Sequence, residues 1–259
     1  MTVSIGFSSI IVFLLVWARL AGMILFNPLL SRSGVPMMTR MGFIFLLAFL
    51  VAPTIAPEQV AGMTDAGYLM ALFREVFVGF VYGFAFQIFY YFLFFAGDLM
   101  DNDIGLAMAR TFDPGTNIQS AFSGRMVSLI FAIYIFASGA HYAIIKLYVD
   151  SFAMIPLGAG GLTLDVGRFI LKLFTSVFML VIRLVAPITV AEFVLQFGMG
   201  VLMKFIPQIT VFVINFQLRI LLGLILLFLM APFIGNFIDN YIGVLLTNLT
   251  DLPMVINGS

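Results

Sequence analysis

Apolar residues run along this chain in long blocks, and short polar stretches separate the blocks. The apolar segments fall at about 5–30, 41–56, 68–97, 125–148, 169–197 and 208–234. A helix needs about 20 residues to cross roughly 30 Å of hydrocarbon, and most of these blocks reach that length. The pattern therefore predicts an all-α membrane protein of about six apolar helices, some of them paired as hairpins.

Two of the segments depart from a plain series of straight spans. The second is short and contains Pro53, so it is expected to be re-entrant or buried in protein. Pro187 interrupts the fifth segment. Because a proline inside a helix removes a backbone hydrogen bond, a kink is expected there.

The composition excludes an ordinary soluble domain. Of the 259 residues 63% are apolar and only 9% are charged, with a mean hydropathy of +1.18, whereas soluble domains carry about 25% charged residues. Twelve basic residues balance twelve acidic ones, so no net field attracts nucleic acid. The sequence contains no cysteine, which excludes thiolate catalysis and zinc–cysteine sites. We expect a single integral membrane domain over residues 1–259, without a soluble domain.

Acidic residues offer the first candidate chemistry. Asp98 and Asp101 are spaced i, i+3 and thus share a helix face, with Asp103 nearby. Paired carboxylates inside a membrane serve aspartyl proteolysis or proton coupling, and a proton relay would add Glu75 and His141. The position of the aspartates at a segment end favours ordinary solvation or a helix-end cluster, and the single histidine suits a packing role.

Small and polar residues form stripes at helical spacing on two segments. Glu75, Gly79, Gly83 and Gln87 follow i, i+4, i+8 and i+12, and Asn215, Arg219 and Gly223 repeat the arrangement further along the chain. Small residues four apart let helix backbones approach closely. The stripes therefore predict helix packing, either within this chain or against other subunits, and both readings stay open.

A glycine-rich polar segment, MARTFDPGTNIQSAFSG at 108–124, separates two of the apolar blocks. Pro114–Gly115 predicts a turn. No arrangement of nucleophile and base is found in this segment. Its two phenylalanines, Phe112 and Phe122, are unusual for a simple solvated loop.

Several blocks of this sequence resemble one known family. They are RE at 74–75, GFVYGFAFQIF, AGDLMDNDIGLAMARTFDP at 96–114, the segment 184–224 containing LVAPITVAEF and NFQLRILLGL, and FNPLLSRSGVP at 26–36. Together they resemble the FliR/SctT family of type III export-gate proteins over nearly the whole length. The flagellar branch is favoured by degree of likeness, and an injectisome export-gate subunit is an alternative.

The resemblance implies a non-enzymatic protein without a cofactor. Its fold would be a FliP-like portion followed by a FliQ-like hairpin. The implied partners are FliP-like and FliQ-like subunits, together with FlhB-like and FlhA-like proteins. Unfolded flagellar export substrates would pass through the resulting pore in the bacterial inner membrane, at the flagellar basal body. A proton-coupled secondary transporter or channel is the alternative from another class.

The resemblance also implies site residues. The loop that would plug the pore carries over to Phe112, Asp113, Pro114, Gly115, Asn117, Phe122 and Gly124. A bulky residue of the gate constriction would be Phe212, with Phe216 as the runner-up.

Overall fold

The computed structural model describes residues 7–30, 35–60, 62–108, 121–161, 163–205 and 211–257. Within these ranges the regular structure is entirely helical. The α-helices are α1 (Phe7–Leu25), α2 (Met37–Val51), α3 (Asp65–Ile104), α4 (Phe122–Ala137), α5 (Ala140–Met154), α6 (Leu164–Phe205), α7 (Val211–Leu229) and α8 (Ala231–Asn257). Two short 3₁₀ turns, Ala52–Thr54 and Pro57–Gln59, follow α2. The prediction of an all-α membrane protein is confirmed.

Among the described residues, four helices are long and apolar enough to cross a membrane: α1, α2 with the turn that follows it, α3 and α6. Two bent pairs raise the number to six if each pair counts as one span. The helices α4 and α5 meet at 74°, and α7 and α8 meet at 59°. The predicted number of about six apolar elements agrees with this arrangement.

The fourth predicted segment is not the continuous helix that its hydropathy indicated. Helix α4 ends at Ala137 and α5 begins at Ala140, with Gly139 between them at φ 76°. Glycine adopts this left-handed conformation without a steric penalty. The hydroxyl of Ser138 donates to the carbonyl of Tyr134 at 2.6 Å and so satisfies one acceptor of the last turn. Apolar residues flank the break on both sides, so hydropathy alone did not locate it.

The two prolines that marked irregular segments occupy different environments. Pro53 lies in the 3₁₀ turn Ala52–Thr54, so α2 stops where the proline removes a backbone donor. Pro187 lies inside α6, which is helical from Leu164 to Phe205. The kink at Pro187 stays a prediction.

The chain divides into two compact units. The first comprises Met1–Phe89, Gly139–Phe174 and Gly243–Ser259, and the second comprises Tyr90–Ser138 and Thr175–Ile242. Helices α3, α6 and α8 each contribute residues to both units. The expectation of one domain over residues 1–259 stays a prediction.

The first unit has an apolar core with a polar contact inside it. Leu20 of α1 and Tyr82 of α3 are fully buried, and Tyr148 of α5 is almost so. The rings of Tyr82 and Tyr148 meet edge to face with centroids 6.2 Å apart. The amide of Asn27 donates to the hydroxyl of Tyr148 at 3.0 Å, so this buried tyrosine has a polar partner.

The second unit packs around aromatic side chains. Phe131 of α4 is fully buried, and its ring lies 6.1 Å from that of Tyr241 of α8 and 6.5 Å from that of Tyr90 of α3. Leu184 and Ile188 of α6 are also fully buried. Phe178 of α6 packs against Phe92 and Phe95 of α3, with ring centroids 6.2 and 6.4 Å apart.

Candidate functional site

The predicted plug is only partly within the described residues. Phe122 and Gly124 lie in the first turn of α4, where Phe122 is 59% exposed and Gly124 is buried. The remaining predicted plug residues lie outside the described ranges: Phe112, Asp113, Pro114, Gly115 and Asn117.

A carboxylate joins the two helices that border this segment. Asp101, near the end of α3, is buried, and its side chain accepts hydrogen bonds from the backbone amides of Phe122 at 2.6 Å and Ser123 at 3.1 Å. The first amides of a helix have no partner within the helix, and a negative charge beside them is stabilising. Asp101 therefore caps α4 from a distance of 21 residues along the chain.

The same two helices also touch through their backbones. A Cβ atom added at Gly97 of α3 would overlap the backbone nitrogen and Cα of Gly124 in α4. Only glycine at position 97 permits this approach. At the end of α3, Gly105 has φ 87°, the left-handed conformation that commonly terminates helices. Two direct contacts thus join the end of α3 to the start of α4. They are the hydrogen bonds of Asp101 and the close approach of Gly97 to Gly124.

The other residues of the predicted proton relay have different environments. Asp98 is exposed whereas Asp101 is buried, so the two do not form a matched pair of carboxylates. His141 lies at the start of α5, and its ring centroid is 3.9 Å from that of Tyr142. Glu75 forms a salt bridge that the sequence analysis did not predict.

That salt bridge joins Glu75 of α3 to Arg19 of α1, and both side chains are fully buried. Arg19 also donates to the carbonyls of Ser151 and Ile155 at 3.0 Å each. The backbone amide of Gly158 donates to Glu75 at 2.7 Å. An isolated charge in an apolar helix requires a partner, so Arg19 inside the first segment was the signal that could have identified this cluster.

The glycines next to Glu75 place α1 close to α3. A Cβ atom at Gly79 would overlap the carbonyl of Arg19, and one at Gly83 would lie 2.6 Å from Cβ of Phe26. The predicted groove of small residues is therefore occupied by α1 of the same chain. Gln87, the last member of this stripe, is half-buried. A contact of this stripe with other subunits stays a prediction.

The second stripe lies along the end of α3. Arg219 of α7 donates to the carbonyl of Asp103 at 2.6 and 3.1 Å and to that of Asn102 at 3.2 Å. The last carbonyls of a helix lack partners and attract a cation. One helical turn further, a Cβ atom at Gly223 would lie 2.9 Å from Cβ of Ile104. Arg219 therefore caps α3.

The residues predicted for the gate constriction lie on the same helix. Phe216 is half-buried, and its ring is 3.7 Å from the position that a Cβ atom at Gly105 would occupy. Phe212 belongs to α7, but its side chain lies outside the described part of the structure. The constriction stays a prediction.

One further ionisable residue was missed by the sequence analysis. Glu192 of α6 is buried and lies near Arg219, with 3.7 Å between Glu192 Oε2 and Arg219 Nε. One turn before it, the hydroxyl of Thr189 donates to the carboxylate of Asp103. Asn215 of α7 has a buried side-chain oxygen without a donor among the described residues. The signal was again a single charge within a long apolar segment.

Comparison with known sequences identifies the family. Residues 10–244 match the family described as bacterial export proteins, family 1. The chain belongs to this family. The prediction of FliR/SctT membership, made from the sequence blocks, is confirmed.

Individual relatives agree with this assignment. The chain is 24% identical to the flagellar biosynthetic protein FliR of Escherichia coli (strain K12) over 241 residues, which cover 92% of each chain. It is 25% identical to the FliR protein of Bacillus subtilis (strain 168) over 250 residues, 95% of this chain and 96% of the relative. It is also 25% identical to the Yop proteins translocation protein T of Yersinia pestis over 205 residues, 77% of this chain and 78% of the relative. This chain is thus a membrane-embedded member of a type III export-apparatus family.

Proposed function

We propose that this chain is a pore-forming subunit of the flagellar type III export gate, through which unfolded flagellar subunits cross the bacterial inner membrane. The observation that carries the proposal is similarity to flagellar FliR proteins over at least nine-tenths of both chains in two distant bacteria. The Yop proteins translocation protein T aligns over a smaller share, 77% of this chain. The flagellar role is therefore favoured over the injectisome role.

Within that role, we assign a plug that closes the resting pore to the residues Phe112, Asp113, Pro114, Gly115, Asn117, Phe122 and Gly124. The contacts of Asp101 with α4 and of Gly97 with Gly124 support this assignment, because they anchor both ends of the segment. Phe112 and Phe122 supply apolar bulk that excludes water from a closed pore.

The proposed partners are FliP-like and FliQ-like subunits, with FlhB-like and FlhA-like proteins nearby. Exposed apolar side chains on α6 support an assembly. Val190, Phe193, Val194 and Phe197 are each at least 63% exposed on the isolated chain. Large exposed apolar patches mark protein–protein or membrane contacts. We infer that neighbouring subunits cover this part of α6 in the flagellar basal body.

The proposed role is not enzymatic. The alternative of a proton-coupled transporter used Asp98, Asp101, Glu75 and His141 as a relay. Two of these acids have structural tasks, since Asp101 caps α4 and Glu75 pairs with Arg19. This arrangement favours the export-gate role over the predicted relay.

Deletion of residues 110–120 tests the plug. The deletion retains Phe122 and Gly124 and therefore the capped start of α4. We expect bacterial membranes to leak small ions when the variant is expressed with its FliP-like and FliQ-like partners, as measured with a potential-sensitive dye. The matched control is the same variant without those partners, which should not leak. Tight membranes and normal export by the assembled variant would refute the plug assignment.

A further inference from the structure

Helices α3, α6 and α7 enclose a small polar cluster within the second unit. Glu192 is its most buried member, with a side chain 1% exposed. Neither of its carboxylate oxygens accepts a hydrogen bond from any described residue. Buried polar atoms almost always have a hydrogen-bond partner, so an unpartnered buried carboxylate needs an explanation.

The nearby cation does not supply the missing hydrogen bond. Arg219 Nε lies 3.7 Å from Glu192 Oε2, which is beyond hydrogen-bonding distance. The Nε and Nη2 groups of Arg219 donate instead to the carbonyls of Asp103 and Asn102. Thr189, one turn before Glu192, gives its hydroxyl proton to the Asp103 carboxylate.

The cluster also contains more acidic groups than basic ones. Among the described residues, the charged groups that act on Glu192 are Arg219 from α7 and Asp103 from α3. The cluster therefore contains two carboxylates and one guanidinium, and Glu192 is the group that is shielded from water. A second negative charge is strongly disfavoured in such surroundings, where the effective dielectric constant is far below that of water. A proton bound to one of the carboxylates removes this excess of negative charge.

We propose that Glu192 is a proton-binding site and that its carboxyl group holds one proton at neutral pH. The ligand is a proton because a side chain of another subunit does not reach a group that is 1% exposed. Binding converts the carboxylate into a neutral carboxylic acid, and release returns the proton to water. Release requires that α3, α6 and α7 separate enough for water to enter. This inference goes beyond the export role and does not rest on it.

Infrared spectroscopy of the full chain in lipid vesicles tests this site. The sequence contains three glutamates, Glu58, Glu75 and Glu192, so carbon-13 labelling of glutamate carboxyls gives a simple spectrum. We expect the wild type at neutral pH to show the carbonyl band of one protonated glutamate. Glu192→Gln should abolish this band. Asp165→Asn is the matched control, because it removes an exposed carboxylate from the same helix, and it should leave the band intact.

Thermal unfolding of the same variants provides the second measurement. If Glu192 is neutral, glutamine replaces it with a neutral group of similar shape, and the melting temperature should stay close to that of the wild type. If Glu192 is instead ionised, the substitution removes one negative charge from the cluster, and the melting temperature should differ clearly from that of the wild type. A wild-type spectrum with only carboxylate bands, or a Glu192→Gln variant that fails to fold, would overturn the proposal.

Discussion

Replacing Glu75 with glutamine leaves the guanidinium of Arg19 buried without its carboxylate. Arg19 is fully buried, and its remaining hydrogen bonds are to the carbonyls of Ser151 and Ile155, which carry only partial charges. Removing one partner of a buried ion pair costs about 3–5 kcal/mol, because the other charge stays desolvated. We therefore expect Glu75→Gln to lower the free energy of unfolding by about that amount.

The matched control is an ion pair on the surface of the same protein. Asp165 and Arg168 lie 3.0 Å apart with side chains 56% and 77% exposed. Because water solvates both groups, Asp165→Asn should cost about 0–1 kcal/mol. The double variant Arg19→Met with Glu75→Gln should recover much of the loss, since it leaves no buried charge.

Unfolding of the purified chain in mixed micelles, followed by far-ultraviolet circular dichroism, measures these differences. We expect Glu75→Gln to be much less stable than Asp165→Asn. A Glu75→Gln variant as stable as the Asp165→Asn control would refute it, because Glu75 would then not neutralise a desolvated charge.

Two further predictions concern the start of α4. Gly97→Ala should destabilise the purified chain by about 1–3 kcal/mol, because its methyl group would overlap the backbone of Gly124, whereas Gly198→Ala on open helix surface should stabilise it by about 0.5–1 kcal/mol. Equal effects in unfolding experiments would contradict the close contact. Asp101→Ala should cost about 0.5–2 kcal/mol as a lost cap and should speed hydrogen exchange at the Phe122 amide. Unchanged exchange would show that this carboxylate does not cap α4.

Hydropathy predicted the apolar elements well, because burial in protein or lipid selects apolar residues over whole helices. It did not locate the break at Gly139, which depends on the conformation of one residue between two apolar stretches. The last apolar segment predicted from hydropathy, 208–234, also ended too early. Helix α8 continues from Ala231 to Asn257, well beyond the last predicted apolar segment.

The side-chain contacts were harder to predict, since they join residues distant in sequence. The spacing of Gly79 and Gly83 indicated a close helix contact on α3, but it did not identify α1 as the helix that packs there. Nothing local to Glu75 indicated that its partner is Arg19, 56 residues earlier. Asp101 resembled half of an acidic pair because its two amide partners lie 21 and 22 residues further along the chain.

The central claim is that this chain is a subunit of a multi-protein export gate. Purification of an affinity-tagged chain from its native bacterial membranes, with mass spectrometry of the intact complex, tests that claim most directly. We expect one large complex that also contains FliP-like and FliQ-like proteins. Recovery of this chain alone, or in a complex that lacks both proteins, would contradict it.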